Sequence, residues 1–187
     1  MFQGLSMATH HLDTSGLIHD QRVNLYAGHD NLHGGEGDDV LEGGAGHDIL
    51  IGKGGDDLLN GGTGHDILIG GDGEDFLEGG RGHDVLEGGA GLDWLLGGEG
   101  RDTFVYTDVS DSMPGDADWL VDFSSGQDTI DLTGITGGSG LNFVEKFTGQ
   151  AGQAILGFDL AIDFSGNGVA DFQVITLGQA AVTDIVA

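Results

Sequence analysis

Large apolar residues return at every ninth position through the middle of the chain, at Leu32, Leu41, Leu50, Leu59, Leu68, Leu77, Leu86, Leu95 and Phe104. Two residues before each stands an aspartate: Asp30, Asp39, Asp48, Asp57, Asp66, Asp75, Asp84, Asp93 and Asp102. From residue 34 the units read GGEGDDVLE, GGAGHDILI and so on for eight uninterrupted copies, preceded by a degenerate LYAGHDNLH from Leu25. Each divides into a six-residue turn and a three-residue strand. The paired glycines permit positive φ and close backbone approach, and a V-L-E or I-L-I tail is too short for a helix and rich in strand formers. One such strand cannot bury its inward side chain alone. The pattern therefore predicts an all-β solenoid in which nine residues make half a turn and the eighth-position column makes the core.

After Val105 the period is lost, and the runs DWLVDF, DTIDL, LNFVEKF, LAIDF and FQVITL read as ordinary strands between Gly, Ser, Asn and Asp clusters. They predict a β-strand cap that closes the solenoid and blocks edge pairing. The expected organisation is 1–24 leader, linker or degenerate first turn; 25–105 roll; 106–187 cap. The opening MFQGLSM, with its second methionine Met7, fits a cloning remnant.

Composition narrows what such a solenoid can do. The chain has 39 glycines, one proline, no cysteine, and 32 acidic against five basic residues, for a net charge of -27. That excludes a helical bundle, collagen, disulfides and thiolate metal sites. It also argues against nucleic acid or anionic lipid as partner, and no apolar run reaches the ~18 residues of a membrane span or forms a Sec-type leader. A cation is the expected partner. Aspartates from alternate units form a column about 4.8 Å per step, and bare carboxylates at that spacing repel. Calcium fits best, because it accepts six or more oxygens in tolerant geometry, including the carbonyls that a glycine turn aims inward. Stacking units 34, 52, 70 and 88 on one edge and 25, 43, 61, 79 and 97 on the other gives three and four gaps, hence about seven sites. Lys53, in place of a second glycine, and Leu25–Tyr26, in place of a glycine pair, weaken particular sites. Turn preference alone accounts for Asp somewhere in each loop but not for one phase kept nine times.

The repeat and the tail together resemble the C-terminal region of RTX proteins exported by type I secretion, with the serralysin metalloprotease family as the closest resemblance. The similar segments are DTFVYTDVSDSMPGDADWLVDFSSGQDTIDLTGI, LNFVEKFTGQAGQAILGFD and AIDFSGNGVADFQV. The resemblance implies a parallel β-roll with calcium ligands at the nine aspartates and at second- and fourth-position carbonyls. Those positions are Gly35, Gly37, Gly44, Gly46, Gly55, Gly62, Gly64, Gly71, Gly73, Gly80, Gly82, Gly89, Gly91, Gly98 and Gly100. It further implies Asp111 and Asp118 as ligands closing the last site, and an uncleaved C-terminal export signal ending in Asp184, Ile185, Val186 and Ala187. The catalytic part of that family is missing, since no His-Glu pair occurs for an H-E-x-x-H helix and no G-x-S-x-G elbow is present. The expected function is a calcium-binding module that folds outside the cell, in a parent that is an extracellular metalloprotease. The alternatives are a similar module of an alginate epimerase or lipase, or a non-enzymatic adhesion or polysaccharide-binding module.

Other features call for weighing. His29, His47, His65 and His83 recur every eighteen residues with Arg101 extending them, and should form an edge ladder that reads as a solvated turn position more readily than as a transition-metal edge. Ile49, Ile51, Ile67 and Ile69 form an outward face expected to pack against the leader, the cap, an upstream domain or a second copy. Asp163, Ser165, Asn167, Gly168 and Asp171 imitate an EF-hand loop, but Val174 stands where Glu is required, so a hairpin turn is the better reading. His10 and His11 read as a solvated pair, and Asp13-Thr14-Ser15-Gly16 as a chance likeness to an aspartic-protease signature.

Overall fold

The computed structural model describes residues 2–3, 9–14, 16–17, 19–176 and 180–187. Most of MFQGLSM, including Met7, and Ser15 lie outside the described residues.

Successive nine-residue units alternate between two sheets, and each strand pairs in parallel with the strand eighteen residues away. On the first sheet Val40–Ala45, Leu58–Gly64, Phe76–Gly82 and Trp94–Gly100 stack with Val40, Leu58, Phe76 and Trp94 in register. On the second, Ile49–Gly54, Ile67–Asp72 and Val85–Ala90 do the same. The parallel roll expected from the sequence is thus present, with about five turns. Its strands run six or seven residues instead of three. The reason is that stacked rungs bend at the same position, glycine on the first sheet and Lys53, Gly71 and Gly89 on the second. Gly44 and Gly62, at φ 101 and 100, turn the chain while still pairing with each other, so the ladder continues through the bend.

The roll also extends beyond the periodic segment at both ends. Arg22–Asn24 pairs with Val40–Ala45 eighteen residues on, and His11–Asp13 with Asn31–His33. At the other end Trp94 pairs with Trp119 and Thr103 with Thr129, offsets of 25 and 26 residues. Beyond Asp118–Leu120 the first sheet is completed by Phe172–Thr176 and then by the antiparallel strands Asp159–Asp163 and Gln153–Leu156. Ile185–Val186 adds the last strand of the second sheet, against Thr129–Asp131.

Between the sheets runs the apolar column, from Val23, Leu32 and Leu41 to Leu95, Phe104, Leu120 and Ile130, every member at most 1% exposed. On the outer face of the second sheet Ile49, Ile51 and Ile69 are half-buried and Ile67 is exposed. The EF-hand-like stretch is a hairpin turn between Asp159–Asp163 and Phe172–Thr176. Within it Asp163 accepts the amides of Gly166, Asn167 and Gly168. Against the burial that opposes them, these bonds hold its carboxyl below the usual range.

Candidate calcium-binding turns

All nine sixth-position aspartates are buried, at 2% exposure or less. Each splits its carboxylate between two tasks. The Oδ1 atom accepts the backbone N–H of the aspartate one rung earlier: Asp30 to Asp48 and Asp39 to Asp57 at 2.7 Å, Asp48 to Asp66, Asp57 to Asp75 and Asp66 to Asp84 at 2.8 Å, Asp75 to Asp93 and Asp84 to Asp102 at 2.9 Å. The Oδ2 atoms of Asp30, Asp48, Asp57, Asp66, Asp75, Asp84, Asp93 and Asp102 are buried without a hydrogen-bond partner, and so is that of Asp118. Asp39 differs, its Oδ2 accepting the Gly35 amide at 2.8 Å.

Glycine makes the space into which these oxygens face. A Cβ on first-position Gly52 would lie 2.0 Å from Asp57 Oδ2 and 2.8 Å from the Gly70 carbonyl oxygen, and one on Gly70 would lie 2.2 Å from Asp75 Oδ2 and 2.5 Å from the Gly88 carbonyl. The second and fourth positions bring stacked carbonyls equally close: a Cβ on Gly62 would lie 2.1 Å from the Gly44 oxygen, and one on Gly46 only 1.4 Å from the Gly28 oxygen. At Gly52 and Gly70 an orphaned carboxylate oxygen and a backbone carbonyl thus face one space that a side chain would fill. Among the described residues no group of three or more His, Cys, Asp or Glu side chains converges as a metal cluster. Each repeat turn buries one aspartate, so the buried carboxylates are strung along the column one per rung. A hard cation that accepts many oxygens suits this donor set; zinc, which prefers nitrogen and sulfur, does not.

The electrostatics point the same way. Burial, reinforced by nearby carboxylates, pushes Asp57, Asp75 and Asp93 up to about 7 and Asp66 and Asp102 up to about 6. Each such buried oxygen without a partner opposes folding until a positive charge meets it.

At the C-terminal end the cap continues the column. Asp118, fully buried, accepts the Asp93 amide at 3.0 Å, and Asp128 accepts that of Asp102 at 3.0 Å. Asp118 is pushed up to about 9, by burial first and by Asp93 next. Asp128 spends its second oxygen on the Ser124 amide, at 2.7 Å. Asp111 accepts the amides of Thr107 and Asp108, both at 2.8 Å, closing a short helical turn. Asp122 accepts those of Gly97 and Gly98, at 2.9 and 2.8 Å. Asp122 and Asp128 escaped the sequence reading because the period breaks before them.

At the N-terminal end His10 and Gln21 occupy the column position, their amides donating to Asp30 and Asp39. The solvated reading of His10 is corrected: its Nδ1 lies 2.8 Å from Asp30 Oδ1. Of the DTSG stretch, the Thr14 hydroxyl donates to the His33 carbonyl at 2.7 Å.

The histidine ladder forms. His29, His47, His65 and His83 stack with ring centroids 4.9–5.0 Å apart. Each Nδ1 accepts the amide of the next rung, ending with Arg101 at 2.9 Å. With Nδ1 an acceptor, the neutral ring carries its proton on Nε2 and has no lone pair left for a transition metal. Asp38 and Asp56 cap the next amide in the same way on the opposite edge. The C-terminal tetrapeptide is docked: Asp184 accepts from the Ser125 hydroxyl at 2.6 Å, the Gly126 amide at 3.1 Å and the Ala181 amide at 2.7 Å. The Val186 carbonyl accepts the Leu132 amide at 2.7 Å.

A parallel roll of nonapeptide turns stacked on a buried carboxylate column and closed by a β cap defines a β-solenoid repeat module. The chain belongs to the Peptidase M10 serralysin C-terminal family, whose model matches residues 7–187. It is 59% identical over 91 residues to metallopeptidase AprA of Pseudomonas marginalis, covering 45% of this chain and 19% of that protein. Serralysin A of Dickeya chrysanthemi is 40% identical over 88 residues, 43% of this chain and 19% of the other. The chain thus spans about a fifth of the length of the curated relatives it matches. Among solved structures, the AlgE6R3 subunit of the Azotobacter vinelandii mannuronan C5-epimerase is similar at a TM-score of 0.52 and 30% identity, over 75% of this chain and 80% of that one.

Proposed function

We propose that this chain is a calcium-binding folding and export module, the C-terminal part of a serralysin-like extracellular metalloprotease. The observation that carries the reading is the column of partnerless Asp Oδ2 atoms facing glycine-turn carbonyls. Calcium supplies the positive charge that these oxygens lack. The chain's own residues do the rest: Oδ1 of each aspartate holds the preceding rung's amide, the first glycine keeps the space open, and second- and fourth-position carbonyls line it. The seven gaps between repeat turns are the proposed sites, and Asp93–Asp118 extends that column into the cap. Asp128, its oxygens already engaged, contributes less.

At neutral pH without calcium, glycine entropy and carboxylate repulsion outweigh apolar burial, and the roll stays open. A chain that is open in calcium-poor cytosol can thread an exporter, led by the signal ending in Asp184, Ile185, Val186 and Ala187, and then fold outside, each bound ion adding stability by mass action. The identity to metallopeptidase AprA favours a protease as parent. The likeness to an epimerase subunit leaves the alternative that the same roll serves another secreted enzyme. The face of Ile49, Ile51, Ile67 and Ile69 is the proposed contact for the upstream part or for a second copy. Among the described residues no helix is long and apolar enough to cross a membrane.

The test is a calcium titration followed by far-ultraviolet circular dichroism, with magnesium as control. A cooperative coil-to-β transition specific to calcium is expected at roughly 0.1–1 mM. A folded spectrum in excess chelator at neutral pH would overturn the reading.

A further inference from the structure

Where the roll meets its cap, Asp93 Oδ2 and Asp118 Oδ2 are buried without a hydrogen-bond partner, and the buried Tyr106 hydroxyl faces Asp118. Asp93 and Asp118 are successive members of one column, joined through the Asp93 amide. Tyr106 is fully buried, its ring edge-on to Phe172 with centroids 5.1 Å apart and its amide donating to the Asp131 carbonyl at 3.0 Å. Asp118 is the charge that acts most strongly on its hydroxyl, followed by Asp93 and Asp111. Asp118 is itself anchored to the cap. Its amide donates to Ser112 Oγ at 2.9 Å, and its strand pairs with Phe172–Thr176.

Phenylalanine would fill the same space without burying a polar O–H. The hydroxyl therefore calls for a role. We propose that Tyr106 is a positioning residue of a junction cation site: its hydroxyl donates to the Asp118 carboxylate and aims Oδ2 at the space faced by Asp93 Oδ2. A divalent cation held there then locks the cap strand onto the last turn of the roll. This rests on the calcium reading above and adds to it a residue outside the repeat and a mechanical consequence.

The experiment titrates calcium into the 187-residue chain and into its Tyr106→Phe and Asp118→Asn variants. All three carry Tyr26→Phe, which leaves Tyr106 as the one tyrosine of the Tyr106-containing chains. Calorimetry and the near-ultraviolet tyrosine band follow the junction; far-ultraviolet circular dichroism follows the roll. The Tyr106 band is expected to move in the same calcium step that Asp118→Asn abolishes. Tyr106→Phe should raise the calcium needed for that step about tenfold, with the roll midpoint unchanged. A junction midpoint within twofold of the parent overturns the proposal. So does a loss of urea resistance that is equal in calcium and in magnesium, because that marks a packing role alone. A parent chain with no calcium step would overturn the calcium reading together with this proposal, whereas the first two outcomes sink the proposal only.

Discussion

At the scale of single residues, the strictest positions are those where a side chain would enter the space between rungs. A Cβ on Gly64 would lie 1.3 Å from the Gly46 carbonyl oxygen, at φ 151. Gly64→Ala should therefore cost more than about 3 kcal/mol and raise the calcium midpoint. Gly157→Ala, with nothing within 4 Å of the added methyl, should stay within about 0.5 kcal/mol. Lys53 is the one non-glycine residue at positive φ, at 97, among the described residues. Its backbone matches the glycines around it, so the strain is borne by the Cβ, and its carbonyl still lies 2.1 Å from where a Cβ on Gly71 would be. Lys53→Gly should raise stability in saturating calcium by about 1 kcal/mol. Urea midpoints measure all three, and a Lys53→Gly midpoint at or below the parent's would show that the lysine is accommodated without strain.

At the scale of the element, the unit that matters is the stacked turn, and its carboxylates give it a defined response to acid. The folded-state values of Asp57, Asp75 and Asp93, up to about 7, stand above the ordinary 3.8. Their neutral forms are thus favoured by folding. The resulting stabilisation is present in full below the unfolded value and is lost as pH rises through the folded one. In excess chelator the chain should gain β signal as pH falls from about 8 toward 5. A spectrum that stays disordered across that range would mean that repulsion between carboxylates is a minor obstacle to folding. Calcium and protons are in this sense alternative neutralisers of the same column.

The turn is also where sequence and structure can be compared. The nine aspartates and the leucine column were legible because strict spacing places them in phase. Asp122 and Asp128 were not, since the cap's offsets of 25 and 26 residues carry no period. A weaker local sign did exist: Asp118-Trp119-Leu120 repeats Asp93-Trp94-Leu95, and Asp128-Thr129-Ile130 mirrors Asp102-Thr103-Phe104. His10 was hidden because it sits in an aspartate's place, twenty residues before Asp30 instead of eighteen. The hydrogen-bonding role of His29, His47, His65 and His83 was invisible for another reason: periodicity shows that rings stack but not which nitrogen faces the next amide.

At the scale of the whole molecule, roll and cap are one continuous pair of sheets, and the cap finishes what the repeats leave open. Asp118, Asp122 and Asp128 accept the amides of Asp93, Gly97, Gly98 and Asp102. Removing 106–187 should therefore abolish calcium-induced folding of the repeats, because it strips those acceptors and bares Leu95 and Phe104. Removing 1–24 takes no aspartate from the column and should leave a cooperative transition at a modestly higher calcium concentration. Circular dichroism of the two truncated chains decides between these outcomes, and equal losses would show that both ends support the roll alike.

The direction of the buried Oδ1 bonds gives the molecule a polarity. Every repeat aspartate amide from Asp30 to Asp102 is satisfied by a carboxylate that comes later in the chain, so no repeat rung is complete until its successor is in place. Synthesis runs the other way, producing the dependent rung first. A ribosome-bound chain thus always ends in one unfinished turn on each sheet, until Asp118 and Asp128 of the cap have been made.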